Sequence, residues 1–224
     1  MNRLLVMSLI CCVLNLSFTY AEEKENETEF VQIDLSGKIT QSMAKKFAEY
    51  NKLSLPPDKY FFGDVEFEIG KGIVQLGSIY KKECPDMVVN IEVNQKFGKL
   101  HFLHGTAFGG GANVAGRAAH VEDGTRVGDY IIYYADKSKE TIPIVYGEDV
   151  RDWWFLEGEK PPSRSKVVFE NDNKAAARVK CRVRFYMTTW KNPRPDTQVT
   201  RIDFIGRKTE TAAAPFCMAM SHEK

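Results

Sequence analysis

The feature that most constrains this chain is a two-residue hydrophobic period that returns along most of its length. Val65, Phe67 and Ile69 alternate with Glu66 and Glu68, Val89, Ile91 and Val93 with Asn90 and Glu92, and Ile202 and Phe204 with Arg201 and Asp203. Successive strand side chains leave opposite faces, so each stretch predicts a strand with one apolar side. The longest runs through Val179, Cys181, Val183, Phe185 and Met187, opposite Arg178, Lys180, Arg182 and Arg184. Leu100, Phe102 and His104 share one face of another strand, with His101 and Leu103 on the other. One wet face per strand is what an antiparallel sheet allows.

A hairpin is the clearest single unit. Asp123-Gly124 opens a turn, and Asp129 to Tyr134 is rich in aromatic and β-branched residues. Ala135 to Glu140 is polar enough to reverse the chain, and Thr141 to Tyr146 returns it before Gly147. Gly70-Lys71-Gly72 turns another strand into Ile73 to Leu76, and Ala214 to Met220 supplies an apolar closing strand. Only Ile39 to Tyr50 has a helical pattern, with Met43, Phe47 and Tyr50 opposite Lys45, Lys46 and Glu49. Roughly ten short strands separated by turn residues predict an all-β fold, a two-sheet antiparallel jelly-roll sandwich with at most one short helix.

The ends bound the domain. Arg3, the apolar run Leu4 to Leu14 and Thr19-Tyr20-Ala21 have the form of a secretory signal peptide over 1–21, which places the mature chain outside the cytoplasm, secreted or periplasmic. The apolar run is too short to span a bilayer comfortably, and no later segment is longer, so no membrane span is expected. A lipid anchor at Cys11 or Cys12 is the less favoured alternative. Residues 22–29 read as a charged, flexible leader and 30–220 as one sandwich domain. Removing 1–21 takes Arg3 with it and leaves a formally neutral chain, so bulk charge names no partner. Cys84, Cys181 and Cys217 remain, and buried thiols are expected ahead of a single bridge.

Several blocks carry a family resemblance: Phe61 to Phe67 with Gln75-Leu76-Gly77-Ser78, Leu100 to His104, Gly128 to Asp136, Ile142 to Trp154, Thr189 to Pro195, Ile202-Asp203-Phe204 and Ala214-Pro215-Phe216. With these pieces the chain resembles the jelly-roll modules, similar to galactose-binding-like domains, of secreted and multidomain bacterial proteins. It departs from their pattern at Phe108 to Ala119, where Gly109-Gly110-Gly111 and further small residues are inserted. The resemblance implies glycan binding through loops at one end of a sandwich, and a structural calcium ion is common in such folds. Fold likeness alone does not assign a role.

Arg151-Asp152-Trp153-Trp154, with Tyr146, is the expected ligand cluster. In an extended segment the adjacent tryptophans face opposite ways, so one is core and one free to stack on a sugar while Arg151, Asp152 and Tyr146 hydrogen-bond its hydroxyls. Burial of both rings is the competing expectation, since aromatic rings carry large burial energies. Glu148, Asp149 and Asp152 are the densest carboxylates and offer calcium ligands or an acid/base pair for polysaccharide cleavage; solvated loop acids are the expected outcome. His101, His104, His120 and His222 lack metal spacing, and one core histidine, His104, with three at the surface is the expected distribution. Gly109 to Arg117 lacks the ending of a phosphate loop and reads as a flexible connection. The Arg178 to Arg184 stripe offers a basic face for a cell-envelope protein partner, with pairing to Glu66, Glu68 or Glu92 as its simpler fate; nucleic acid is not expected. The sequence thus points to a non-catalytic carbohydrate-binding module ahead of an enzyme, with no cofactor beyond a possible structural calcium.

Overall fold

A computed structural model describes residues 28–43, 55–110, 121–207 and 210–224. The predicted signal peptide, most of the predicted leader, the part of the helical pattern after Met43, and His120 lie outside the described residues. The strands, numbered in chain order, form an all-β sandwich. Its larger sheet runs β10 (Trp154–Leu156), β12 (Cys181–Lys191), β7 (Lys99–Ala107), β14 (Ala214–Glu223), β5 (Gly72–Gln75) and β2 (Gln41–Ser42), with β1 (Phe30–Gln32) paired to β14 and β11 (Lys166–Asn171) to β12. The smaller runs β6 (Met87–Gln95), β13 (Val199–Gly206), β8 (Arg126–Tyr134) and β9 (Lys139–Val145). All named strand pairs are antiparallel.

The predicted hairpin forms as β8–β9, paired from Arg126 opposite Val145 to Tyr133 opposite Lys139 with one register shift between Arg126 and Gly128. Asp136 closes its turn by accepting from the Ser138 backbone N–H at 3.0 Å and hydroxyl at 2.6 Å, beside Lys137 at φ +71°. Between the sheets lies the first core. Leu100 and Phe102 of β7 and Tyr186 of β12 meet Tyr130 and Ile132 of β8 and Ile202 and Phe204 of β13. Phe102, Tyr130 and Phe204 stack in sequence with centroids 4.1 and 4.7 Å apart, joining both sheets, and each such ring contributes roughly 1.5–3 kcal/mol by leaving water.

The larger sheet has no wet face along its central strands, contrary to the one-sided reading. Its outer side is covered by a third layer, the hairpin β3 (Asp58–Phe62) and β4 (Val65–Ile69), the one-turn helix α1 (Lys174–Ala177) and both indoles of the 153–154 pair. Here lies a second core: Phe62, Phe67 and Trp153 pack on Leu103, Phe185, Met187 and Phe216. The apolar face of β12 therefore points outward into this layer. Its Arg184 and Tyr186 face turns the other way, which accounts for a charged residue where the alternation predicts solvent. The basic stripe does not form: Arg178 and Lys180 precede β12 at the end of α1, with Lys180 at φ +61°, and Arg184 is only 2 % exposed. Arg182 pairs with Glu170 and Asp172, and Arg184 with Glu159, rather than with Glu66, Glu68 or Glu92.

Cys84, Cys181 and Cys217 are buried, and no disulfide links them to one another. His104 is buried as expected, its Nε2 2.8 Å from Thr188 Oγ1. His101 and His222 are buried as well, correcting their surface placement: His222 stacks on Phe97 at 4.7 Å and His101 meets Phe30 edge-on. His222 lies opposite Val31 in the β1–β14 pairing, and His101 lies opposite Ser221 in the adjoining β7–β14 pairing. No helix among the described residues is long and apolar enough to cross a membrane.

Candidate functional site

The corner after β9 holds every predicted ligand residue, and it is built to hold backbone. Gly147 turns the chain at φ +83°, where a Cβ would run into the Asp123 carboxyl, and the Val145 carbonyl accepts from the N–H groups of Glu148 and Asp149. Asp149 returns the bond, accepting from the Val145 N–H at 2.8 Å, and is gripped by Arg164 through Nε at 3.1 Å and Nη2 at 2.6 Å. This two-point grip fixes orientation as well as charge. Arg164 also meets Glu148 Oε2 at 3.0 Å. Asp149 is thus a buried structural anion, and Asp152 is buried beside it, which corrects the picture of solvated loop acids. The three carboxylates do not converge, and the described residues contain no group of three or more His, Cys, Asp and Glu that could hold a metal ion.

Asp152 is the centre of the corner. Its Oδ2 accepts from the N–H groups of Gly109 at 2.9 Å and Gly110 at 3.3 Å, and its Oδ1 from that of Trp154 at 3.0 Å. Burial pushes its carboxyl up to about 7, against the pull of these three donors. Tyr146 lies over the same glycines: a Cβ on Gly109 would strike its ring, and one on Gly110 would come within 2.6 Å of its hydroxyl oxygen. The run read as a flexible connection therefore begins as a tightly packed seat, and the absence of side chains at 109 and 110 is what admits the tyrosine. Burial also drives the Tyr146 phenol well above its usual range.

Arg151 bonds Asp123 Oδ2 at 2.6 Å, its guanidinium 5.6 Å from the Tyr146 ring centre. Trp153 is 5 % exposed and stacks parallel to Phe185 at 6.3 Å; Trp154 is half-buried against the same second core, 5.8 Å from Trp153. Both indoles thus pack against one core, the outcome that aromatic burial energies favour over one core ring and one free ring. The chain bends at Trp153, whose N–H bonds Thr106 O, before Trp154 pairs with Val183 in β10. Of the five predicted ligand residues, Tyr146, Asp152 and Trp153 are buried in structural contacts.

An open groove lies elsewhere, between β1 with the 3₁₀ turn Ser36–Lys38 and the β3–β4 hairpin. Its volume is about 910 Å³. Ile33, Leu35, Ile69 and Met218 give it apolar lining, and Asp34, Asp58, Lys59, Glu68 and Lys71 supply hydrogen-bonding groups of both signs. Gln32 fixes one wall. Its side-chain amide donates to Glu66 O at 2.9 Å and its carbonyl accepts from the Glu68 N–H at 3.0 Å, extending the edge of β4 as a strand would. Sequence reasoning passed over this wall, although Tyr60-Phe61-Phe62 carried a signal: three aromatic residues in a row on a strand cannot all face one core.

No family model, no curated protein and no solved structure matches this chain.

Proposed function

We propose that the protein is a non-catalytic binding module, secreted or periplasmic, whose ligand is carbohydrate and whose binding surface is the groove beside the β3–β4 hairpin. One observation carries the reading: a preformed groove of about 910 Å³ combines apolar lining with acids, lysines and an amide on a rigid sheet scaffold. Apolar lining suits the C–H faces of a sugar, and flanking acids and cations suit its hydroxyls. The resemblance to galactose-binding-like modules supports the ligand class. The corner of Tyr146, Arg151, Asp152, Trp153 and Trp154 acts in this reading as the frame that keeps the sandwich end rigid. The alternative of a polysaccharide-cleaving enzyme using Glu148, Asp149 or Asp152 is less well supported, because Asp149 is held by Arg164 and Asp152 is sealed from solvent.

The test is calorimetric titration of a panel of neutral and acidic oligosaccharides, with calcium and with a chelator, alongside an assay for reducing-end release. The expected result is saturable binding without turnover, weakened about tenfold or more by Glu68→Ala combined with Lys71→Ala in a protein of unchanged circular dichroism. Absence of binding across the panel, or binding indifferent to the double variant, overturns the reading.

A further inference from the structure

We infer that Phe61 is an aromatic stacking subsite that extends the groove along the outer face of the β3–β4 hairpin, a role that rests on the carbohydrate-binding reading above. The hairpin is two-faced. Tyr60, Phe62, Val65, Phe67 and Ile69 pack toward the second core, whereas Lys59, Phe61, Glu66 and Glu68 point away from it. Phe61 is 68 % exposed, more than any other large hydrophobic residue among those described. A ring of that size left in water forgoes the burial that its neighbours Tyr60 and Phe62 obtain, so nothing in the fold itself explains an aromatic side chain here.

Its surroundings match a sugar better than another apolar surface. Phe61 sits directly across from Glu66, whose Oε1 bonds Lys59 Nζ at 3.0 Å, and Lys59 in turn lies opposite Glu68. Lys59 and Glu68 both line the groove. The ring therefore stands two residues, about 7 Å, along β3 from a groove wall, on the same strand face. A planar apolar ring bordered by carboxylates and an ammonium group provides one stacking surface and several hydroxyl partners in a single plane. A protein partner would call for a broader apolar patch. The hairpin holds the ring in place: Gly63 at φ +63° closes a tight turn, all five β3 residues pair with β4, and Gln32 braces the far edge of β4.

The experiment titrates wild type, Phe61→Ala, Phe61→Tyr and Phe61→Trp with disaccharides and pentasaccharides of glucose-based and galactose-based series. The expected result is that Phe61→Ala weakens pentasaccharide binding about tenfold, about 1.4 kcal/mol, and leaves disaccharide binding nearly unchanged. The tyrosine and tryptophan variants should retain binding, the latter with an emission shift on saturation. Because Phe61 is exposed, all variants should unfold at the wild-type temperature. Wild-type binding that Phe61→Ala does not alter overturns the subsite and leaves the groove reading standing. No binding by wild type removes the groove reading itself, and the subsite with it.

Discussion

Replacing Asp152 by alanine should lower the unfolding free energy by about 3 kcal/mol near neutral pH, measured by urea denaturation. The substitution leaves the N–H groups of Gly109, Gly110 and Trp154 without their acceptor in a buried place, and each orphaned donor costs roughly 1–3 kcal/mol. Part of that loss is offset because a buried carboxylate disappears with it. Asp152→Asn should cost less, about 1 kcal/mol, because its carbonyl oxygen can still serve the two glycines while its NH₂ faces the Trp154 N–H. A loss below about 0.5 kcal/mol for alanine, the size of an ordinary surface change, would mean that the corner does not depend on this clamp.

The same residue sets a pH signature. Its carboxyl is pushed up to about 7 from 3.8, so the native state holds this proton more tightly than the unfolded chain does. The resulting stability is complete at low pH and is lost as pH rises through 7. His104 works in the opposite sense. Burial pushes it down to about 4 from 6.5, so its contribution is complete above 6.5 and is lost as pH falls through 4. His101 and His222, also pushed down chiefly by burial, reinforce the histidine side. Between pH 4 and 6.5 the two slopes oppose. Asp152→Asn should therefore steepen the rise of stability with pH across that window, and His104→Gln should flatten it. Melting temperatures read at half-unit pH steps would show either change, and parallel curves for all three proteins would contradict the assignment.

The second large effect is expected at Arg184. The side chain is 2 % exposed; its Nε donates to the Tyr186 hydroxyl, its Nη1 to Glu159 O at 3.3 Å, and its Nη2 lies 2.9 Å from Glu159 Oε1. The guanidinium is 4.5 Å from the Phe155 ring centre, and Tyr186 passes the chain on by donating to the Asp152 carbonyl at 3.0 Å. Arg184→Ala should cost about 3 kcal/mol or more, because it breaks a buried pair and empties the space the side chain fills. Arg184→Met keeps most of the volume, and Glu159 is partly exposed and can rehydrate, so about 1–2 kcal/mol is expected. Equal losses for the two variants would place the whole effect in the charge.

Where the sequence was readable, one local rule decided the outcome. The β8–β9 hairpin followed from β-rich runs flanking a polar turn, and β13 from Ile202 and Phe204. The same period misassigned β12, because alternation separates two faces without saying what covers each. Val183 and Phe185 found the hairpin layer, and Tyr186 the space between the sheets. The corner was located correctly as a cluster, but its roles depended on contacts distant along the chain, from Gly109 to Asp152 and from Arg164 to Asp149, that no spacing rule reports. For the tryptophan pair the weightier expectation, burial of both rings, is what the fold shows; the facing argument for a free indole assumed an extended segment, whereas the chain bends at Trp153 and both rings pack against one core. Phe61 was visible in principle as the odd ring among three.

The place of β14 bears on how the molecule can assemble. This strand, residues 214–223, pairs with β7 on one side and with β5 and β1 on the other, so the larger sheet is three separate pieces without it. Both cores draw side chains from it, Cys217 and Met220 on one face and Phe216 and Met218 on the other. A nascent chain still lacking these residues has no middle to its sheet and cannot close either core. Both cores therefore close only when β14 pairs with β7, β5 and β1, strands far from it in sequence, and such long-range closure is slow compared with local hairpin formation.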